Sequence, residues 1–185
     1  MTGKGHTLCG VFGGVAPAAI AYESTASILP ALFAYAACVI GSTAPDWLEI
    51  PLSKKKANKE GSGEITVQKT LIPHRTWTHI ICVWLALCVG AYGGLGNDSW
   101  FNFSINLGPI NTSFLLGFTY GCLLHLIGDL PNKQKIPIFT PWDGVALNLW
   151  KSGRFEKTLV GVVVLISCFW INQHYDFIDL GFNFV

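Results

Sequence analysis

At 185 residues the chain has the length of one domain, but 51% hydrophobic residues, 12% charged residues and a mean hydropathy of +0.44 exclude an ordinary soluble one. A formal net charge of +1 offers no basic footprint, and direct nucleic-acid binding is not expected. Six cysteines without a C-x-x-C pair read as small membrane-buried residues, not as a disulfide framework or zinc knuckle.

The apolar residues fall into five blocks, each near the about 17–25 residues that cross a bilayer. The first, Thr7–Tyr22, has a single lysine before it and no small-x-small stop, so it is expected to be retained, either spanning or re-entering. Ile28–Thr43 and Ile80–Leu95 follow. The fourth, Ser113–Leu130, carries Gly117 and Gly121 as a G-x-x-x-G that favours close helix contact. The fifth is Thr158–Gln173. These blocks predict an all-α polytopic membrane bundle of about four to five transmembrane helices with short loops. It forms one integral-membrane domain over residues 1–185.

Lys4 precedes the first block. Lys54, Lys55, Lys56, Lys59, Lys69 and Arg75 lie between the second and third. Lys133, Lys135, Lys151, Arg154 and Lys157 lie between the fourth and fifth. With five crossings and the N-terminus inside, all twelve basic residues share one side, which the positive-inside rule makes cytoplasmic. Asn97, Asn102 and Asn111 begin N-x-S/T triplets on the other side, relevant only in a eukaryotic secretory setting. The loop 131–157 is expected to hold an interfacial helix between Trp142 and Trp150. The Lys54–Lys59 stretch suits anionic lipid or a soluble cytoplasmic partner.

The ionisable residues beside these blocks carry the functional signal, because such groups at membrane depth persist mainly when they act. His6 begins the first block, Asp46 and Glu49 follow the second, His74 and His79 precede the third, and His125 and Asp129 end the fourth. The predicted topology puts all of them at the cytoplasmic face. Imidazoles and carboxylates without a nearby thiolate suit a hard-to-borderline divalent ion. His125 and Asp129, spaced i, i+4, share a helix face; both bind one ion, or Asp129 orients the His125 ring. Arg75 offers a planar fork to a phosphate or carboxylate, or anchors the helix at the interface. His174, on the opposite side, is assigned no role.

The order His6, Gly41-Ser42-Thr43-Ala44-Pro45-Asp46, His74-Arg75-Thr76-Trp77-Thr78-His79 and Leu124-His125-Leu126-Ile127-Gly128-Asp129 resembles the YdjM-like family of bacterial inner-membrane proteins. Members are described as metal-dependent hydrolases, some as LexA-binding. The resemblance implies a bacterial inner-membrane location and a metal site at His6, Asp46, His74, His79, His125 and Asp129, all within residues 6–129. The second acid of the family's P-D-x-D is Leu48 here, with Glu49 one residue on, which favours one metal over two. Ile80 and Leu124 stand where the family has serines.

Two readings follow. In the first the chain is a membrane-embedded hydrolase in which Zn²⁺, or Mn²⁺, brings the pKa of a bound water to about 7. His6 or Glu49 then completes the ligand shell or acts as general base, and Arg75 steadies an oxyanion or phosphate. Position at the bilayer face suggests a lipid-linked phosphoester substrate. In the second the His/Asp cluster is a structural metal or hydrogen-bond site of a non-catalytic scaffold or regulatory protein. An ion transporter fits less well, since the acids sit at helix ends.

Overall fold

The longest apolar helix organises the others. α6 (Pro109–Asp129) begins where Gly108 adopts a φ of 85° and Pro109 brings a pre-set helical φ to the first turn. In this computed structural model, which describes residues 1–49, 51–57, 64–70, 75–96 and 103–175, α6 packs centrally between α3 (Ile28–Gly41) and α5 (Ile81–Gly94). α7 (Glu156–Tyr175) leans chiefly on α1 (Gly3–Gly13).

The first apolar block is divided. α1 stops at Gly13, α2 runs Val15–Thr25, and Gly14 joins them, still bonded to Gly10 on one side and to Ala18 on the other. Pro17, in the first turn of α2, has no N–H to continue the hydrogen bonding of α1 across the junction. α3 and α5 are apolar but have 14 residues each, about 21 Å of helix against a hydrocarbon core of about 30 Å. By length and composition α6 alone among the described residues qualifies as a membrane span, not all five blocks.

The inner face of α3 is made of small residues. α3 buries Ala31, Ala34, Ala37 and Cys38 while Ile28 and Leu32 are 64% and 56% exposed. Such a face suits lipid as solvent, where packing of small residues, not burial of large ones, holds helices together. The α3–α6 seam shows why. A Cβ on Gly117 would fall on the Ala34 carbonyl oxygen, one on Gly121 on that of Cys38, and one on Gly41 on that of Phe118. The G-x-x-x-G therefore does what its spacing predicts, with Gly41 as its counterpart on α3.

Two loops depart from expectation. The lysine-rich segment is a ribbon in which β1 (Pro51–Ala57) pairs antiparallel with β2 (Glu64–Thr70), placing Lys54 opposite Val67. No helix forms between Trp142 and Trp150. Instead Ile136 bridges Val145, and the Asp143 carboxylate accepts from the backbone N–H groups of Ile138, Phe139 and Thr140. Within the stretch Asn148 takes a left-handed φ of 55°, which an α-helix does not accommodate. The carbonyls of Pro137 and Ile138 in turn accept from the first N–H groups of α5. Asn97 and Asn102 lie outside the described residues.

Candidate metal centre

The end of α3 sets the geometry. After Gly41 the chain turns through Ser42 and Thr43 into α4 (Ala44–Trp47), and the N–H of Asp46 bonds Thr43. The Ser42 carbonyl, orphaned at a helix end, accepts from His125 Nδ1 at 2.9 Å. A carbonyl only accepts, so Nδ1 carries the proton and Nε2 of this fully buried ring keeps its lone pair. Nε2 makes no hydrogen bond to the described residues and sits 3.5 Å from Asp46 Oδ1.

His79 arrives from the other side. A 3-10 turn (Trp77–His79) buries it completely, with Nδ1 3.0 Å from Thr78 Oγ1 and 3.3 Å from Glu49 Oε1. With Nδ1 turned toward this hydroxyl and carboxylate, the ring presents Nε2 to the interior. Glu49 also receives the Arg75 backbone N–H at 2.8 Å, a bond made with Arg75 in the left-handed region at φ 58°. His79 Nε2 then faces the same Asp46 Oδ1 at 3.6 Å. Burial pushes the Asp46 carboxyl up, but the His125 and His79 imidazoles beside it outweigh that and hold the group well below the usual carboxylate range. An ionised oxygen facing two ring nitrogens calls for a cation between them, a proton or a metal ion.

His6 and Asp129 complete the cluster. The His6 ring stacks on His125 with centroids 3.8 Å apart, and its Nε2 lies 3.3 Å from Asp129 Oδ1. That oxygen also takes the Met1 amino group and Asn132 Nδ2 at 3.0 Å. Asp129 Oδ2 pairs with the Arg75 guanidinium, which bonds the Gln134 carbonyl at 3.1 Å. Arg75→Met leaves this buried carboxylate without its guanidinium and is expected to destabilise the protein by about 3 kcal/mol. Arg75→Lys should recover little, because one ammonium cannot reproduce the two-sided fork. Equilibrium denaturation in detergent measures both; wild-type stability in Arg75→Met would refute the pairing.

Of the residues singled out from sequence, His6, Asp46, His79, His125 and Asp129 meet at one end of the bundle, with Glu49 and Arg75 against them. His74 lies outside the described residues. Ligand atoms of His6, Asp46 and His125, and of His79, His125 and Asp129, fall within 4.8 Å of one another. Two ligands about 2.1 Å from a tetrahedral ion are about 3.4 Å apart. The 3.5 Å from Asp46 Oδ1 to His125 Nε2 and the 3.6 Å to His79 Nε2 each match that spacing. The Ser42 carbonyl and Asn132 take part without any signal in sequence to mark them, whereas Thr78 belongs to the His74–His79 motif.

A model of the family described as YdjM inner membrane protein matches residues 1–184. No curated protein and no solved structure matches the chain.

Proposed function

The chain belongs to the YdjM inner membrane protein family, and on that premise we propose a metal-dependent hydrolase that cleaves a lipid-linked or other membrane phosphoester at the cytoplasmic face. The observation that carries this reading is the pair of buried imidazoles, His79 and His125, converging on Asp46 Oδ1 at 3.6 and 3.5 Å. The bundle is read as crossing the bilayer four to five times with the N-terminus cytoplasmic, its short helices tilted or locally thinning the membrane.

Asp46, His79 and His125 would hold the ion, with His6 and Asp129 beside them. Zn²⁺ suits the imidazole-rich set, and Mn²⁺ is the runner-up. The ion supplies Lewis acidity toward a water and toward a phosphoryl oxygen. The chain's residues do the rest. Ser42 keeps His125 in the ligating tautomer and Glu49 orients the His79 ring, as outer partners of metal-bound histidines do. Glu49 is thus a positioning residue. Arg75 holds Asp129 in place and also lines a cleft of about 240 Å³ with Asn132, Lys133 and Lys151, where an anionic headgroup would be received.

The test is turnover. Zinc-loaded protein in vesicles containing a panel of phosphoester lipids should release headgroup or phosphate, stop on chelation and resume when zinc is returned. A loaded protein that turns over none of them would overturn the hydrolase reading. The saturated partners of Asp129 would then favour the scaffold, with the cluster tying helices together.

A further inference from the structure

A second cavity adjoins the polar cluster and has the opposite character. It occupies about 270 Å³ between α1, α6 and α7, lined by Leu124, Ile127, Leu159, Val163 and Ile166. Its lining repeats over eight residues on both long helices, from Tyr120 to Gly128 on α6 and from Leu159 to Ser167 on α7. At 1.5 Å per residue the slot extends about 12 Å along the helix axes. α7 packs mainly on α1, so the α6–α7 side is open, and Ile127 and Ile166 at that mouth are 60% and 62% exposed.

One wall is shared with the candidate centre. Gly128 lines the slot, and a Cβ there would fall on the Met1 sulfur at 2.5 Å and lie 3.5 Å from His6 Cε1 and 3.6 Å from His6 Nδ1. His6 is 1% exposed, and its Nδ1 has no hydrogen-bond partner among the described residues. Asp129 follows, and beyond it Arg75 opens on the basic cleft. Apolar slot, buried polar cluster and cationic cleft thus stand in sequence. A pocket below the 300–1,000 Å³ usual for whole ligands suits one segment of a molecule.

The geometry points to this slot as the seat of one acyl chain of the substrate, entering sideways from the bilayer between α6 and α7 and leaving its phosphoester at His6 and Asp129. The inference rests on the hydrolase reading and specifies its substrate as an anionic membrane lipid held by a tail. The chain gains nothing from leaving water, since lipid tails around it are as apolar as the slot. What the slot provides is position, fixing how far the headgroup stands from the ligands.

Photolabelling tests it. Protein in phosphatidylglycerol nanodiscs carrying a diazirine-acyl phosphatidylglycerol is irradiated, and modified residues are mapped by mass spectrometry. Contact with bulk lipid favours Leu32, which is 56% exposed, over half-buried Leu124 and Val163. A slot reverses that order. Val163→Trp should lower labelling at Leu124 by about tenfold, as loss of a well-packed pocket contact does, with Leu32 unchanged. Ile166→Trp, at the exposed mouth, does the same if the deeper variant folds poorly. Labelling that follows exposure, or that neither tryptophan alters, would overturn the slot. Metal content read on the same samples separates the two ideas. Slot labelling in a protein that binds no metal removes the hydrolase and keeps the slot, whereas bound metal with labelling that follows exposure removes only the slot.

Discussion

Replacing His125 by alanine is expected to abolish metal binding at the proposed centre while the helices stay in place. Outer partners alone change metal affinity by about 10–100-fold, so loss of a ligand should exceed hundredfold. Alanine also leaves the Ser42 carbonyl buried without its donor, a cost of about 1–3 kcal/mol. His125→Asn separates these effects, because its amide nitrogen falls at the Nδ1 position and can still donate to Ser42 but offers no ring lone pair. Both variants should fall from near-stoichiometric zinc to a trace, with the asparagine variant closer to wild-type stability. Elemental analysis beside thermal unfolding reads both, and zinc retained in either variant rules out His125 as a ligand.

Gly121→Val is expected to have the larger structural effect. Its side chain would be driven onto the Cys38 carbonyl and the Ser42 amide, both backbone atoms that cannot move without moving α3. Overpacking of this kind costs about 1–3 kcal/mol in ordinary cores and more where backbone is struck. The His125–Ser42 bond crosses the same seam one turn along α6, so forcing the helices apart also frees the imidazole and should lower zinc affinity. Gly161→Val, on α7 with nothing within 4 Å of the added carbon, is the control and should stay within about 0.5 kcal/mol of wild type. Equal behaviour of the two valine variants would contradict the close approach.

How much of this was legible in sequence depends on which atoms do the work. The apolar blocks locate the helices, and the G-x-x-x-G locates a close contact. The one-sided lysines and arginines bring His6, Asp46, His79, His125 and Asp129 to one end before any coordinates are known. The break at Gly14 is visible in hindsight as Pro17, but a hydropathy window averages across it. The ribbon of Pro51–Ala57 with Glu64–Thr70 arises from backbone pairing, which a lysine-rich composition hides. Ser42 was unreadable for a deeper reason: its contribution is a carbonyl that every residue possesses, exposed only because α3 ends there. Arg75 was legible as an anion-binding fork, yet its anion in this structure is Asp129, a pairing across 54 residues that no local pattern encodes.

The dependence on where α3 stops has an evolutionary side. The tautomer of His125 is specified by the endpoint of a helix and not by the identity of the residue at position 42. Exchange of Ser42 for another small residue leaves the acceptor where it was. Inserting one residue within α3 turns that acceptor by about 100° around the helix axis and away from the imidazole. The centre is therefore indifferent to some changes of letter and intolerant of a change of count. Its inheritance runs through the number of residues between Ile28 and Pro45.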